Sequence, residues 1–124
     1  MKNYSEHFGR PPDFRVHYHR LDPEGQRRPF KFFQHMRSDF TYSEFDVQAG
    51  VGNYFMIHPE FEQEDGAILP EDKTVPHEGL AGMWIVVNEM RDFHRKRIEI
   101  GVKGFMMDGP YRIAEVEVIE VVSL

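Results

Sequence analysis

Seven histidines and no cysteine bound the chemistry open to this 124-residue chain. His17 and His19 stand two apart, so on a strand both leave the same face, as two ligands of a metal site do. A third ligand would have to be brought in by folding, from His35, His58 or Glu60, which leaves the pair as weak metal candidates beside a plain surface role. Without cysteine there are no thiolate nucleophiles, disulfides or zinc sites built on sulfur. Ser5, Ser38, Ser43 and Ser123 occupy no Gly-x-Ser-x-Gly elbow. No loop ends in the Gly-Lys-Ser/Thr run that cradles nucleotide phosphates; Gly101 and Gly104, around Lys103, lack that spacing and read as bulge glycines interrupting a strand. Glu60, Glu62, Glu64 and Asp65 crowd one short segment. Acid–base catalysis needs one carboxyl desolvated, and this density reads as a solvated loop. The tract Arg91–Arg97 holds Arg91, Arg95, Lys96 and Arg97 around Phe93 and His94, the basic patch of note and by composition a solvated loop. A net charge of -6 opposes phosphate binding there.

The elements that must position these groups are written mainly in period two. Phe14–Leu21 puts Phe14, Val16 and Tyr18 on one buried face. Pro29–Phe33 and Phe40–Val47 read as short neighbouring strands. Asn53–His58 reads as another, stopped by Pro59 because proline cannot donate to a ladder. Met83–Val87 is apolar on both faces, as a central strand is, with Trp84 buried inside it. Ile98–Met107 and Tyr111–Val122 flank a turn at Asp108, Gly109 and Pro110, forming a hairpin. A helical alternative covers Asn88–Ile98, where Met90, Phe93, His94, Arg97 and Ile98 recur at helical spacing and Asn88 could cap the start. Repeated short strands without alternating helices predict an antiparallel barrel or sandwich and exclude a parallel α/β fold. The length fits one domain: an N-terminal arm over 1–13, polar and mixed in charge, and a barrel over 14–124. No apolar run reaches the roughly 18 residues of a membrane span, and a cytoplasmic setting is expected.

Taken in order, the segments resemble the C-terminal β-barrel domain of the elongation factor Tu family, standing alone over about Phe14–Val122. Glu24, Gly25, Gln26, Arg27, Arg28, Pro29 and Phe30 parallel the family's Gly-Gly-Arg turn and phenylalanine pair. Met36, Arg37, Ser38, Asp39, Phe40, Thr41 and Tyr42 resemble its Tyr-Arg-Pro-Gln-Phe-Tyr-Phe strand, with Arg37 and Phe40 identical. Asp46–Val51 matches its Asp-Val-Thr-Gly-Val step. Leu69, Pro70 and Glu71 through Val75 and Pro76 match its Leu-Pro-Glu-Gly to Met-Pro-Gly-Asp loop. Phe105–Glu115 matches its closing hairpin. In the full factors this barrel is a third domain that holds the T stem of aminoacyl-tRNA and packs on a GTPase domain. The resemblance therefore implies a single antiparallel barrel of about six to eight strands, a binding scaffold with no GTP site and no cofactor.

The departures bear on partner choice. A glutamine that contacts the tRNA backbone in the family falls at Asp39, whose charge repels phosphate. A second contact, a lysine, falls near Asn88 or Glu89. The paired glycines of the closing turn become Gly109 and Pro110. The span of about 51–67, with Tyr54 and its acidic loop, has no family counterpart and reads as an insertion. The expectation is a non-enzymatic module that binds another protein, in one version as a mimic or immunity-type protein, through Arg37, Asp39, Tyr54, His58, Glu62 and Glu64. The rival is tRNA or RNA binding through Arg27, Arg28, Arg91, Arg95, Lys96 and Arg97; a metal-dependent enzyme on His17 and His19 is third.

Overall fold

The computed structural model describes residues 3–23, 28–43 and 54–124. Among these residues six strands run in chain order as β1 (Phe14–Arg20), β2 (Asp39–Tyr42), β3 (Phe55–Phe61), β4 (Glu78–Ile85), β5 (Lys103–Asp108) and β6 (Tyr111–Val121). They close into an antiparallel barrel in the order β1-β4-β3-β2-β5-β6, with β6 returning to β1. Among the described residues two short helices accompany it, α1 (Tyr4–Phe8) and α2 (Arg91–Arg95), the latter preceded by a 3-10 turn over Asn88–Met90.

The period-two pattern produces the interior directly. Phe14, Val16 and Tyr18 of β1 are fully buried, and Ala114, Val116 and Val118 of β6 meet them from the neighbouring strand. Phe40, Tyr42, Ile57, Phe61, Met83, Ile85 and Met106 add to the filling. The β5–β6 hairpin forms, with Gly109 at φ +56° in the turn, but residues 98–102 of the expected Ile98–Met107 strand are not strand: the chain turns there, with Gly101 at φ +95°, and β5 begins at Lys103 and includes Asp108.

Several segments depart from the sequence reading. Pro29–Phe33 is not a strand; it is a loop that packs Phe30 and Phe32 on the core, with the Arg20 guanidinium 4.3 Å from the Phe32 ring centre. The buried Gln34 ties the end of this loop to the barrel, donating to the Phe61 and Leu69 carbonyls (2.8 Å each) and accepting from the Phe61 amide (2.8 Å). Pro59 does not stop β3, which runs on to Phe61, and the strand is a wall of the barrel between β2 and β4 rather than an added surface. The ladder tolerates Pro59 because only alternate residues of a strand donate to a given neighbour. Residues 44–47 of the expected Phe40–Val47 strand, 51–53 of the expected insertion, Glu24–Arg27 and the Asp46–Val51 step lie outside the described residues.

The arm is the largest departure. Its composition reads as polar, yet it folds as α1, capped by the Asn3 side chain accepting from the Glu6 amide (2.9 Å) and closed by Gly9 at φ +70°. The apolar outer face of β4 explains why: Trp84 points out of the barrel, only 2% exposed, beneath Tyr4 and Phe8. Its indole nitrogen donates to the Arg10 carbonyl (3.2 Å). Trp84 is buried as expected, under the arm rather than inside the barrel.

Behind α1 the chain is tied by Asp13, fully buried at the head of β1. Its carboxylate accepts from the Ile85 amide (2.7 Å), Arg91 Nε (2.9 Å) and Arg10 (3.0 and 3.3 Å). Its backbone carbonyl receives the Val122 amide at 3.1 Å.

Gly101 and Gly104 are not bulge residues. Gly101 sits in a turn ahead of β5 at φ +95°, whereas Gly104 lies within β5 and the bulge falls later, between Met106 and Met107. At Gly104 an added Cβ would lie 2.5 Å from the Thr41 carbonyl oxygen and 2.7 Å from the Phe40 ring. Backbone cannot yield as a flexible side chain does, so Gly104→Ala should cost about 2–3 kcal/mol in chemical denaturation. Gly109→Ala, which meets nothing within 4 Å, should cost only about 1 kcal/mol for its positive φ. Equal losses at the two sites would contradict the close approach.

Candidate functional site

The outward residues of β3 and its continuation fall at every second position: Met56, His58, Glu60 and Glu62. Each meets a different environment. Glu62 is not a free acidic contact, because Arg15 holds it through two nitrogens (2.9 and 2.6 Å) while also reaching Glu120 (2.9 Å). Glu60 is not solvated: it is 3% exposed. Its carboxylate accepts from the Tyr4 amide (2.9 Å) and lies 2.7 Å from His35 Nε2. Only Glu64 and Asp65 form the exposed turn that the acidic density predicts.

His35 is the hinge of this arrangement. Glu71 contacts its other ring nitrogen at 2.8 Å, so the imidazole is held between two carboxylates. Its backbone sits at φ +66°, a left-handed conformation that costs a residue with a Cβ about 1–2 kcal/mol. The two carboxylates, the Tyr4 hydroxyl on its carbonyl (3.3 Å) and the Tyr4 ring 4.8 Å away hold it there.

Between α1 and this turn lies a trough of about 610 Å³, within the range of roughly 300–1,000 Å³ that encloses ligand groups. Met56, His58 and Val86 line it from the sheet, Tyr4, His7 and Phe8 from α1, and His35 and Arg37 from the loop. Arg37 is exposed and has no hydrogen-bond or ion-pair partner among the described residues. Met56 is 48% exposed, although it is a large apolar side chain. Burial lowers the pKa of His58, Arg37 lowers it further, and Asp39 partly offsets them. The His58 ring is thereby biased to its neutral form. Among the described residues no carboxylate lines the trough.

The fold thus brings together Arg37 and His58 of the sequence candidates, with Asp39 close enough to act electrostatically on His58. Tyr54, half-buried ahead of β3, Glu62 and Glu64 are not among the lining residues. Sequence reasoning missed Tyr4, His7, Phe8 and Met56. The available signal was the two-faced apolar character of β4, which requires something to cover its outer side.

Of the other sequence candidates, some are drawn into the fold and some stay at the surface. Arg91–Arg95 is the helical alternative, not a solvated loop, although Asn88 makes no side-chain cap. Within that basic tract, Arg91 is bound to Asp13 and the Ser123 carbonyl, Arg95 to Asp92, and Arg97 lies over the Phe93 ring. Arg28 and Lys96 remain exposed, and Arg27 lies outside the described residues. His17 lies 3.5 Å from Glu78, and His19 packs edge-on against His77, in a concavity of about 410 Å³ that mixes Glu115, Glu117 and Lys103. Among the described residues no group of three or more histidine and acidic side chains is arranged to hold a metal ion.

His94 turns inward and is fully buried, with Nδ1 2.6 Å from the Tyr42 hydroxyl and Nε2 unpartnered among the described residues. Burial, reinforced by Arg97 and partly offset by Asp13, lowers its pKa to about 4.

No protein-family model and no curated protein matches this sequence.

Two outcomes are expected from the buried groups. His94 binds its proton less readily folded than unfolded, so its contribution to stability is complete above pH 6.5 and is lost as pH falls toward about 4. That loss should be on the order of 3 kcal/mol, seen as a steeper fall in denaturation free energy for the natural protein than for His94→Phe. A parallel fall in both would refute it. Glu60→Ala strips the acceptor from the Tyr4 amide and His35 and should destabilise by about 3 kcal/mol. It should also shift Trp84 emission to the red as α1 lifts; unchanged emission would show that the arm does not depend on Glu60.

Proposed function

We propose that this chain is a non-enzymatic binding module whose partner is another protein, engaged at the trough beside Arg37. The observation that carries this reading is the pairing of a guanidinium, unpartnered among the described residues, with a half-exposed methionine in one concavity of a well-packed barrel. An aliphatic surface next to a free Arg is the composition of interface anchors. The buried groups that could perform acid–base chemistry are engaged otherwise: Glu60 and His35 clamp the arm, and His94 is sealed in the core.

A kinship with the elongation factor Tu C-terminal barrel, in a cytoplasmic setting, is part of the proposal. The closed antiparallel six-strand architecture and the order of the motifs support it. Under that reading Asp39 disfavours the inherited phosphate contact, Arg91 is taken up by buried Asp13 and Arg97 lies over the Phe93 ring, which weighs toward protein over tRNA. No helix among the described residues is long and apolar enough to cross a membrane.

Affinity purification with the natural chain and with an Arg37→Glu/Met56→Asp variant tests the reading. Both side chains are exposed, so the variant should fold. A partner retained at high salt by the natural chain should fall at least roughly tenfold with the variant. Undiminished recovery overturns the surface, and salt-sensitive recovery of tRNA with no protein overturns the partner class.

A further inference from the structure

Among the described residues the lining of the trough holds no acid, although the molecule around it is acidic and Glu60 and Glu71 stand behind His35. The chain carries a net charge of -6, yet the titratable side chains lining this concavity, Tyr4 apart, are all basic. Arg37 alone among them is permanently charged, and it has no acid of its own among the described residues. The concavity around His17 and His19 differs in just this respect, because Glu78, Glu115 and Glu117 line it and offset its cations.

One fixed cation sets the charge of the occupant. A phosphate monoester brings a charge near two, and a nucleic acid a repeating line of single charges, neither of which the single Arg37 beside Asp39 matches. A carboxylate carries one charge and two oxygens in a plane, the geometry that a guanidinium fork meets with paired hydrogen bonds. The neutral bias of His58 is consistent with this, since a neutral ring offers a hydrogen bond without calling for a second negative charge. The rest of the lining is apolar: Phe8, Met56 and Val86. An occupant that satisfies both parts has a carboxylate and an apolar side chain side by side.

Resting on the protein-binding reading above, we infer that the trough receives a short acidic peptide segment of the partner, its carboxylate on Arg37 and the adjoining aliphatic or aromatic side chain against Met56. Methionine suits that second contact because its flexible thioether adapts to side chains of different shape. Arg37 sets the preference for acid, and the apolar patch sets the preference for the neighbouring residue.

The test uses the full chain with isotope labels and two blocked pentapeptides, acetylated and amidated, identical except that one carries Asp and the other Asn before a Phe. The acidic peptide should move the Met56 methyl and His58 ring signals and bind at least roughly tenfold more tightly than its Asn counterpart, the worth of a charge-assisted hydrogen bond. Arg37→Gln should abolish that difference while leaving the fold unchanged. Equal affinity for the two peptides overturns the inference, as do shifts confined to residues outside the trough. If neither peptide binds while partner recovery still requires Arg37 and Met56, the inference fails and the protein-binding surface stands.

Discussion

A closed barrel has one seam where its first strand must find both neighbours, and here the carboxylate of Asp13 sits at that seam. It is completely buried, and a buried charge left unpaired would be strongly destabilising. Each of its partners comes from a different part of the chain: Arg10 from the arm, Ile85 from the end of β4, Arg91 from α2, with the C-terminal Val122 on its carbonyl. Satisfying one carboxylate therefore aligns the start of β1, the end of β4, the connecting helix and the end of the chain. Arg91, whose charge by itself suggests a solvent or phosphate contact, is a structural counter-ion for that reason.

The arm depends on this seam. Once β1 is anchored, the chain before Asp13 lies across the outer face of β4, where Trp84 offers an apolar surface that a bare barrel would leave wet. Tyr4 and Phe8 cover it, and Glu60 receives the Tyr4 amide. The same Glu60 holds His35 in a backbone conformation it would not adopt unaided. A helix of five residues has little stability alone; here tertiary contacts supply it. The trough is the space left between these two clamped pieces, so its shape is a consequence of the fold and not of a flexible loop.

Local pattern and tertiary demand disagree most clearly at two places. Alternation identifies β1 and β6, because a strand with one wet face must alternate whatever it pairs with, whereas β4 is marked by a run apolar on both faces. The same rule fails at Glu60 and His94. A glutamate between acidic neighbours reads as solvated, and a histidine among arginines reads as exposed, unless the reader knows that Tyr4 and Tyr42 will meet them. Pro29–Phe33 fails for the converse reason: its aromatics are buried, but in a loop tied down by Gln34 rather than in a ladder.

The sequence by itself determined the all-β class, the inward face of β1, the closing hairpin and the absence of cysteine chemistry, since each comes from composition or from contacts between near neighbours. It also marked Arg37 and His58 among the binding candidates. Only the tertiary structure decided that these two share a trough with α1, that Glu62 belongs to Arg15, and that Arg91 of the basic tract serves buried Asp13. Those outcomes join residues many positions apart, such as Tyr4 with Glu60 and Asp13 with Arg91, and periodicity carries no information about which distant side chain a charge will meet.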